Sequence, residues 1–135
     1  MDMKPSRRVA RLAFGHNAGY LAAPGVLDQK PRPRALVVAS DEQAFGVLRA
    51  AAQVGARVPD DLAIVGFDGL QEAGFTVPGL STMRQPLEEA AALAVKTLLH
   101  GTAVAADRTV RLPVALQRHG SRGCADDFGG GDAGD

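Results

Sequence analysis

The chain predicts an α/β fold built on a parallel sheet, and three observations carry that expectation. The apolar run Ala35-Leu-Val-Val-Ala39 passes through Ser40-Asp41 into a polar-apolar period over residues 42–53. That period closes at Gly55 and Pro59-Asp60-Asp61 and leads into a second apolar run, Leu62-Ala-Ile-Val-Gly66, followed by Phe67-Asp68. A strand, a helix and a further strand in that order make a unit whose strands lie parallel and covered, so they read as continuous apolar runs. Finally, an acidic residue, Asp41 or Asp68, stands at the carboxyl end of each strand. Ligands of open α/β sheets bind in the crevice beyond those ends. Both carboxylates are therefore expected where a small polar molecule would be recognised.

The elements follow in order. Val9 to Phe14 alternates weakly and reads as a short strand. His16 to Gln29 has helical content, but Pro24-Gly25 interrupts it, and proline inside a helix costs ~3 kcal/mol or more. The helix should be short or broken there. Pro31-Arg-Pro33 turns the chain into the strand at 35–39. Asp41 is expected to cap the next helix, with Ala44, Leu48, Ala51 and Ala52 on its inner face and Gly55 at its end. Residues 69–80, with Gly69, Gly74, Pro78 and Gly79, read as an irregular loop, and Ser81 to Arg84 as a short strand. Pro86 opens a further helix. Glu88 and Glu89 stand in its first turn, Lys96 and His100 in its last, and Gly101 follows, all in accord with the helix dipole and capping preferences. Its expected buried stripe is Leu87, Ala91, Ala94 and Leu98. Thr109 to Gln117 alternates, with Val110, Leu112, Val114 and Leu116 on one face, and Pro113 marks it as an edge or bulged strand.

Composition narrows the function classes. A length of 135 residues with 46% hydrophobic content suits one soluble domain at most. With five Phe, one Tyr and no Trp, the core must rest on Ala, Val and Leu. The formal net charge of +0 sets up no global field toward nucleic acid or membrane. Lys4, Arg7, Arg8 and Arg11 make the start basic, which reads either as a nucleic-acid-binding arm or as a solvated end beside an edge strand. Asp126, Asp127, Asp132 and Asp135 among glycines give the other end nothing to bury, so it is expected to be disordered. The lone Cys124 forms no internal disulfide and fits a reducing compartment. No signal-peptide core or membrane-spanning run is present, and the expected location is the cytoplasm.

Catalytic motifs are absent: there is no G-x-S-x-G elbow, phosphate-binding loop, G-x-G-x-x-G or H-E-x-x-H. His16, His100 and His119 lie in separate segments without partners at metal-ligand spacing. No cofactor and no metal are expected. Asp60-Asp61 reads as a solvated turn at the end of the sheet away from the crevice. Asp68 is different, because a carboxylate closing an apolar strand is costly unless it is hydrogen-bonded or wet. It either accepts hydroxyl hydrogen bonds from a polyol or caps the loop at 69–74. Phe14 is either core or a stacking platform. An acid/base pair of Asp41 and Asp68 is the remote enzymatic alternative.

Three ordered segments resemble the effector-sensing domain of the LacI/GalR family of bacterial transcription regulators. Ala39-Ser-Asp-Glu-Gln-Ala-Phe-Gly46 is similar to the family's A-N-D-x-x-A-x-G. Val58-Pro-Asp-Asp-Leu-Ala-Ile-Val-Gly-Phe-Asp68 is similar to V-P-x-D-[IV]-x-[VI]-x-G-[FY]-D. Val77-Pro-Gly-Leu-Ser-Thr-Met-Arg-Gln-Pro86 is similar to the crossover P-x-L-T-T-[IV]-x-Q-P, and Phe14 through Gly19-Tyr20 to Arg32-Pro33 follows in register. The resemblance implies a truncated three-layer lobe of the periplasmic-binding-protein-like I fold over residues 9–120. A flexible basic segment (1–8) would precede it, and a disordered Gly/Asp-rich tail (121–135) would follow.

Carried residue by residue, the resemblance places Phe14 against the effector ring, Ser40 where many members bind effector with Asn, Asp68 on effector hydroxyls or ring nitrogens, and Gln85 at the cleft border. Ser40 departs from the pattern, since a hydroxyl lacks an amide's paired donor and acceptor. The same resemblance implies a homodimer that the helix at 42–53 helps to form, through Phe45 and Leu48. The implied function is a non-enzymatic effector-binding module, for a sugar or nucleobase-like molecule, of a LacI-type regulator. A periplasmic-type sugar-binding protein and a non-functional fragment are the alternatives. Val9-Ala-Arg-Leu-Ala13 resembles part of the family's DNA-binding helix, but Phe14-Gly-His does not continue it. Direct DNA contact by this chain is not expected. Exposed apolar surface on the helix at 86–100, where an absent lobe would pack, implies self-association.

Overall fold

The structure, a computed structural model, describes residues 13–99 and 109–123. Its elements are α1 (His16–Ala22), α2 (Pro24–Leu27), β1 (Ala35–Val37), α3 (Asp41–Gln53), β2 (Ala63–Asp68), a 3-10 turn (Gln71–Phe75), β3 (Ser81–Arg84), α4 (Leu87–Leu99), β4 (Ala115–Gln117) and a final 3-10 turn (Gly120–Arg122). The basic start at 1–8, most of the strand expected at 9–14, His100, Gly101 and Cys124 lie outside the described residues. No helix among the described residues is long and apolar enough to cross a membrane.

The sheet has the order β1-β2-β3-β4, with β1, β2 and β3 parallel and β4 antiparallel to β3. Continuous apolar runs thus became parallel neighbours, as the strand-helix-strand order requires. Leu36 pairs with Ile64 and Gly66 with Thr82, which puts these residues on one face of the sheet. Leu62, Ile64 and Leu80 are fully buried there, with Ala44, Val47 and Ala51 of α3 in the same cluster. On the other face Val37 is 83% exposed. Among the described residues, β1 pairs on one side only, with β2. This is a mixed α/β unit with a parallel-dominated sheet.

Helix α3 ends as the sequence expects. Gly55 takes φ +68, its N–H donates to Ala52 O at 3.2 Å, and the Ala56 N–H reaches back to Ala51 O at 2.9 Å. That pair of bonds is the Schellman arrangement, which satisfies carbonyls the helix leaves over. Its start differs. The cap is Ser40, whose hydroxyl accepts the Gln43 N–H at 3.3 Å, while Asp41 is already helical. On the inner face Ala52 is exposed, and Val47 and Ala50 are buried beside Ala44, Leu48 and Ala51. The proline break also holds, with the helical stretch dividing at Ala23.

α1 crosses α3 at backbone contact. A Cβ on Gly46 would overlap His16 O and the Tyr20 backbone, and one on Gly19 would overlap the Gln43 backbone. Two glycines therefore set the separation of the helices. Gln43 Nε2 donates to Ala13 O at 2.7 Å and ties the entrance of α1 to the first turn of α3.

Three further expectations are corrected. No residue of α4 is buried, so Leu87, Ala91, Ala94 and Leu98 form no buried stripe, and Leu98 is 81% exposed. The helical period is real, but no element among the described residues covers it. The strand expected over 109–117 is reduced to Ala115–Gln117, because only these residues have partners on β3. The loop at 69–80 contains the 3-10 turn Gln71–Phe75, closed by Leu80 N–H to Ala73 O at 2.7 Å. At Asp60-Asp61 the turn is present, and Asp61 is engaged. Hydrogen bonds from the Arg57 guanidinium, then from the Arg57 backbone N–H, hold its carboxyl well below the usual range, at about 2.

Residues 121–123, assigned by sequence to the disordered tail, are built into the fold through Ser121. Its hydroxyl donates to Ile64 O at 2.6 Å and accepts the Ser81 N–H at 2.9 Å, and its own N–H donates to Gly79 O at 3.0 Å. Ser121→Ala removes the side-chain bonds and leaves a buried carbonyl and N–H without partners. Each such orphan costs about 1–3 kcal/mol. We expect a lower urea midpoint, with faster amide exchange in β4 than in β1 and β2. Unchanged exchange in β4 would refute this role.

Candidate functional site

At the carboxyl end of β2 the backbone leaves the sheet through two residues of positive φ, Asp68 at 127° and Gly69 at 77°. Glycine tolerates this, and here it is required twice, since a Cβ on Gly69 would lie 2.6 Å from Arg84 Cα. Aspartate does not tolerate it freely. A non-glycine residue in such a region costs of order 1–3 kcal/mol and persists only where its surroundings over-determine it, most often at functional sites.

The surroundings are specific. Gln85, just past the end of β3, donates its N–H to Asp68 O at 3.3 Å and its Nε2–H to Asp68 Oδ1 at 2.8 Å. Asp68 Oδ2 has no partner among the described residues, so it remains an acceptor. Asp68 and Gln85 share an open cleft of about 650 Å³ with Arg84, Glu88 and Glu89, bordered on the β4 side by Pro113 and Ala115. That volume is within the usual range for small-molecule sites. One guanidinium faces three carboxylates around it, so the cleft is acidic and rich in acceptors. Such a lining favours a neutral, hydroxyl-bearing or N–H-bearing ligand over an anion.

Sequence reasoning had named Asp68 and Gln85, and the structure brings them together. It does not bring Ser40 and Phe14 into the same cleft lining. Ser40 stands at the carboxyl end of β1, but its hydroxyl is engaged as the α3 cap. Phe14 is 89% exposed, on the segment tied by Gln43 to the first turn of α3, and so at the same pole of the sheet as Asp68. Asp41, expected near the ligand, is fully buried and accepts hydrogen bonds from Gly69 N–H, Leu70 N–H and Thr82 Oγ1. An acid/base pair with Asp68 is therefore not available, because no substrate reaches Asp41. Sequence reasoning missed Arg84, Glu88 and Glu89 as cleft residues. Arg84 could have been found by the strand-end rule, whereas the two glutamates were explained entirely by the helix dipole.

A second concavity of about 530 Å³ lies between α1 and α3, lined by His16, Tyr20, Phe45 and Arg49. His16 and Phe45 stack with centroids 5.6 Å apart, and Tyr20 OH donates to Gln53 Oε1 at 2.6 Å. It has neither strained backbone nor convergent buried polar groups, and the cleft at Asp68 is the stronger candidate. Of the two residues assigned to a dimer interface, Phe45 is half-buried beside His16. Leu48 is only 8% exposed and packs in the core, so it is not available to a partner.

The chain has relatives among known proteins. The sequence profile of a family described as periplasmic binding protein-like domain matches residues 4–121. The chain is 40% identical over 86 residues to the HTH-type transcriptional repressor PurR of Edwardsiella ictaluri (strain 93-146), a stretch covering 64% of this chain and 25% of that protein. It is 37% identical over 87 residues to the ribose operon repressor of Escherichia coli (strain K12), covering 64% and 26%. The chain thus spans about a quarter of the length of these curated relatives. Among solved structures, a LacI family transcriptional regulator from Enterococcus faecium with bound ribose superposes with a TM-score of 0.70 at 27% identity, covering 82% of this chain and 41% of that one. A dimeric Lac repressor with an 11-residue C-terminal deletion gives 0.71 at 28%, covering 80% and 40%.

Proposed function

The chain belongs to the periplasmic binding protein-like domain family as it occurs in LacI-type transcription regulators, and on that premise we propose that its Asp68–Gln85 cleft is one wall of an effector-binding site. The observation that carries this reading is the positive φ of Asp68, held by Gln85 through Oδ1, with Oδ2 left as an acceptor among the described residues. The effector class is a small, neutral, polar molecule, a carbohydrate or a nucleobase-like compound. Asp68 Oδ2 accepts from its hydroxyl or N–H, Gln85 borders it, the exposed ring of Phe14 offers a stacking face, and Ser40 lies at the adjoining strand end. The module is non-enzymatic, makes no direct DNA contact, and acts in the cytoplasm as part of a regulator that pairs with a second copy. Effector binding would shift such a regulator between two states of different operator affinity.

With the cleft open, the 135-residue chain alone leaves a bound sugar largely hydrated, where competing water reduces the gain from each hydrogen bond. Calorimetry against a panel of monosaccharides is expected to show very weak binding or none. The direct test is therefore a chimera in which this chain replaces the matching stretch of the ribose operon repressor. The chimera should repress a reporter and be relieved by an effector. Asp68→Ala, which removes hydrogen bonds to a charged acceptor worth about 1.5–3 kcal/mol, should shift the effector response ~10-fold or more at unchanged repression. A response that Asp68→Ala leaves untouched would refute the assignment.

A further inference from the structure

We infer that Asp41 and Thr82 are positioning residues for the cleft: together they hold Asp68 in its left-handed backbone conformation and so present its carboxylate. The inference rests on Asp68 being the effector contact. Asp41 is fully buried at the first turn of α3, yet its bonds run across the sheet rather than within the helix. Oδ2 accepts the N–H groups of Gly69 at 3.0 Å and Leu70 at 2.8 Å, the two residues that follow Asp68. Oδ1 accepts the Thr82 hydroxyl at 2.6 Å, and Thr82 Oγ1 in turn accepts the Gly69 N–H at 3.2 Å. Gly66, on the neighbouring strand, supplies the room, since a Cβ there would overlap Asp41 Oδ1.

The chemistry of this cluster selects a carboxylate. Three donors converge on Asp41, and an ionised carboxylate accepts at every lone pair, whereas an amide turns an N–H toward at least one of them. Charge-assisted bonds to two consecutive N–H groups fix the orientation of the peptides after Asp68. With Gln85 fixing the Asp68 carbonyl from the other side, residue 68 has little freedom left. The aspartate that reads the ligand is thus shaped by the helix start on one side and by β3 on the other. Its backbone moves with the first turn of α3.

The test uses the intact chain and needs no ligand. NMR measures the three-bond coupling between the amide and α protons of residue 68, and amide exchange at Gly69 and Leu70, in wild type, Asp41→Asn and Thr82→Val. Wild type should give the small coupling of positive φ and protected amides at both positions. In Asp41→Asn we expect the large coupling of an extended backbone at residue 68, and exchange at Gly69 and Leu70 at least tenfold faster relative to the core amides of β2. Thr82→Val, which keeps the side-chain shape, should move the same signals part of the way and serves if Asp41→Asn does not fold. A role confined to stability would lower the melting temperature and leave the residue 68 coupling unchanged in the folded protein, and that result overturns the inference. The effector role of Asp68 stands or falls separately, on Asp68→Ala in the repressor chimera.

Discussion

Gly46→Leu is expected to abolish the docking of α1 on α3 and with it much of the stability of the domain. The new side chain would start inside the backbone of α1, at His16 O and the Tyr20 peptide. Overpacking a core typically costs 1–3 kcal/mol, and more where rotamer changes cannot relieve it. No rotamer moves a Cβ, so the helices must separate. The loss should therefore exceed about 3 kcal/mol, against total stabilities of roughly 5–15 kcal/mol for ordinary domains. Separation would also expose Leu27 and Ala23, which α1 and α2 bring to the core, and release the Gln43–Ala13 tie that places Phe14. Urea unfolding followed by circular dichroism would read the change. A midpoint within error of wild type would show that the two helices do not depend on glycine at their crossing.

Self-association through α4 is the second large effect. Leu87, Val95, Leu98 and Leu99 are all more than half exposed on this helix. Burying an aliphatic side chain of this size is worth about 1.5–3 kcal/mol, so covering all four yields roughly 6–12 kcal/mol. Association costs an estimated 4–15 kcal/mol, and gain and cost are comparable. We therefore expect concentration-dependent assembly, with a mass by light scattering above the 14.0 kDa of one chain. Leu98→Glu with Leu99→Glu should return the protein to a monomer, because a buried carboxylate without a partner removes the gain and adds a desolvation penalty. A wild-type chain that stays monomeric at high concentration would rule this out.

The parts of the fold that were legible in sequence are those decided locally or by one repeated pattern. The apolar runs of β1 and β2, the proline break at Ala23–Pro24 and the glycine past α3 each carry their reason within a few residues. The choice of Ser40 over Asp41 as the cap was not legible. Both are good capping residues, and the decision came from Gly69, Leu70 and Thr82, which claim the Asp41 carboxylate from across the sheet. The α4 stripe failed for a related reason: a helical period says which side would be buried, not whether anything arrives to bury it. At the candidate site, Asp68 could be named because it closes an apolar strand, and Gln85 because its segment resembles the crossover motif of the LacI/GalR family. What their sequence did not carry is the backbone conformation that joins them, since an aspartate of positive φ looks like any other until its neighbours are placed.

The direction of β4 decides how this molecule can be handled. Because β4 runs against its three companions, the chain is carried back to the starting ends of β2 and β3, where Ser121 fastens it to Ile64 and Ser81. Asp68 lies four residues further along β2 from Ile64, or roughly 13 Å at ~3.3 Å per residue. Gly123 comes up beside Pro59, at the pole opposite the cleft. A fluorophore, a biosensor surface or a reporter attached at Gly123 would therefore be mounted behind the recognition surface. The opening at Asp68 would face outward, free for whatever is flowed across it.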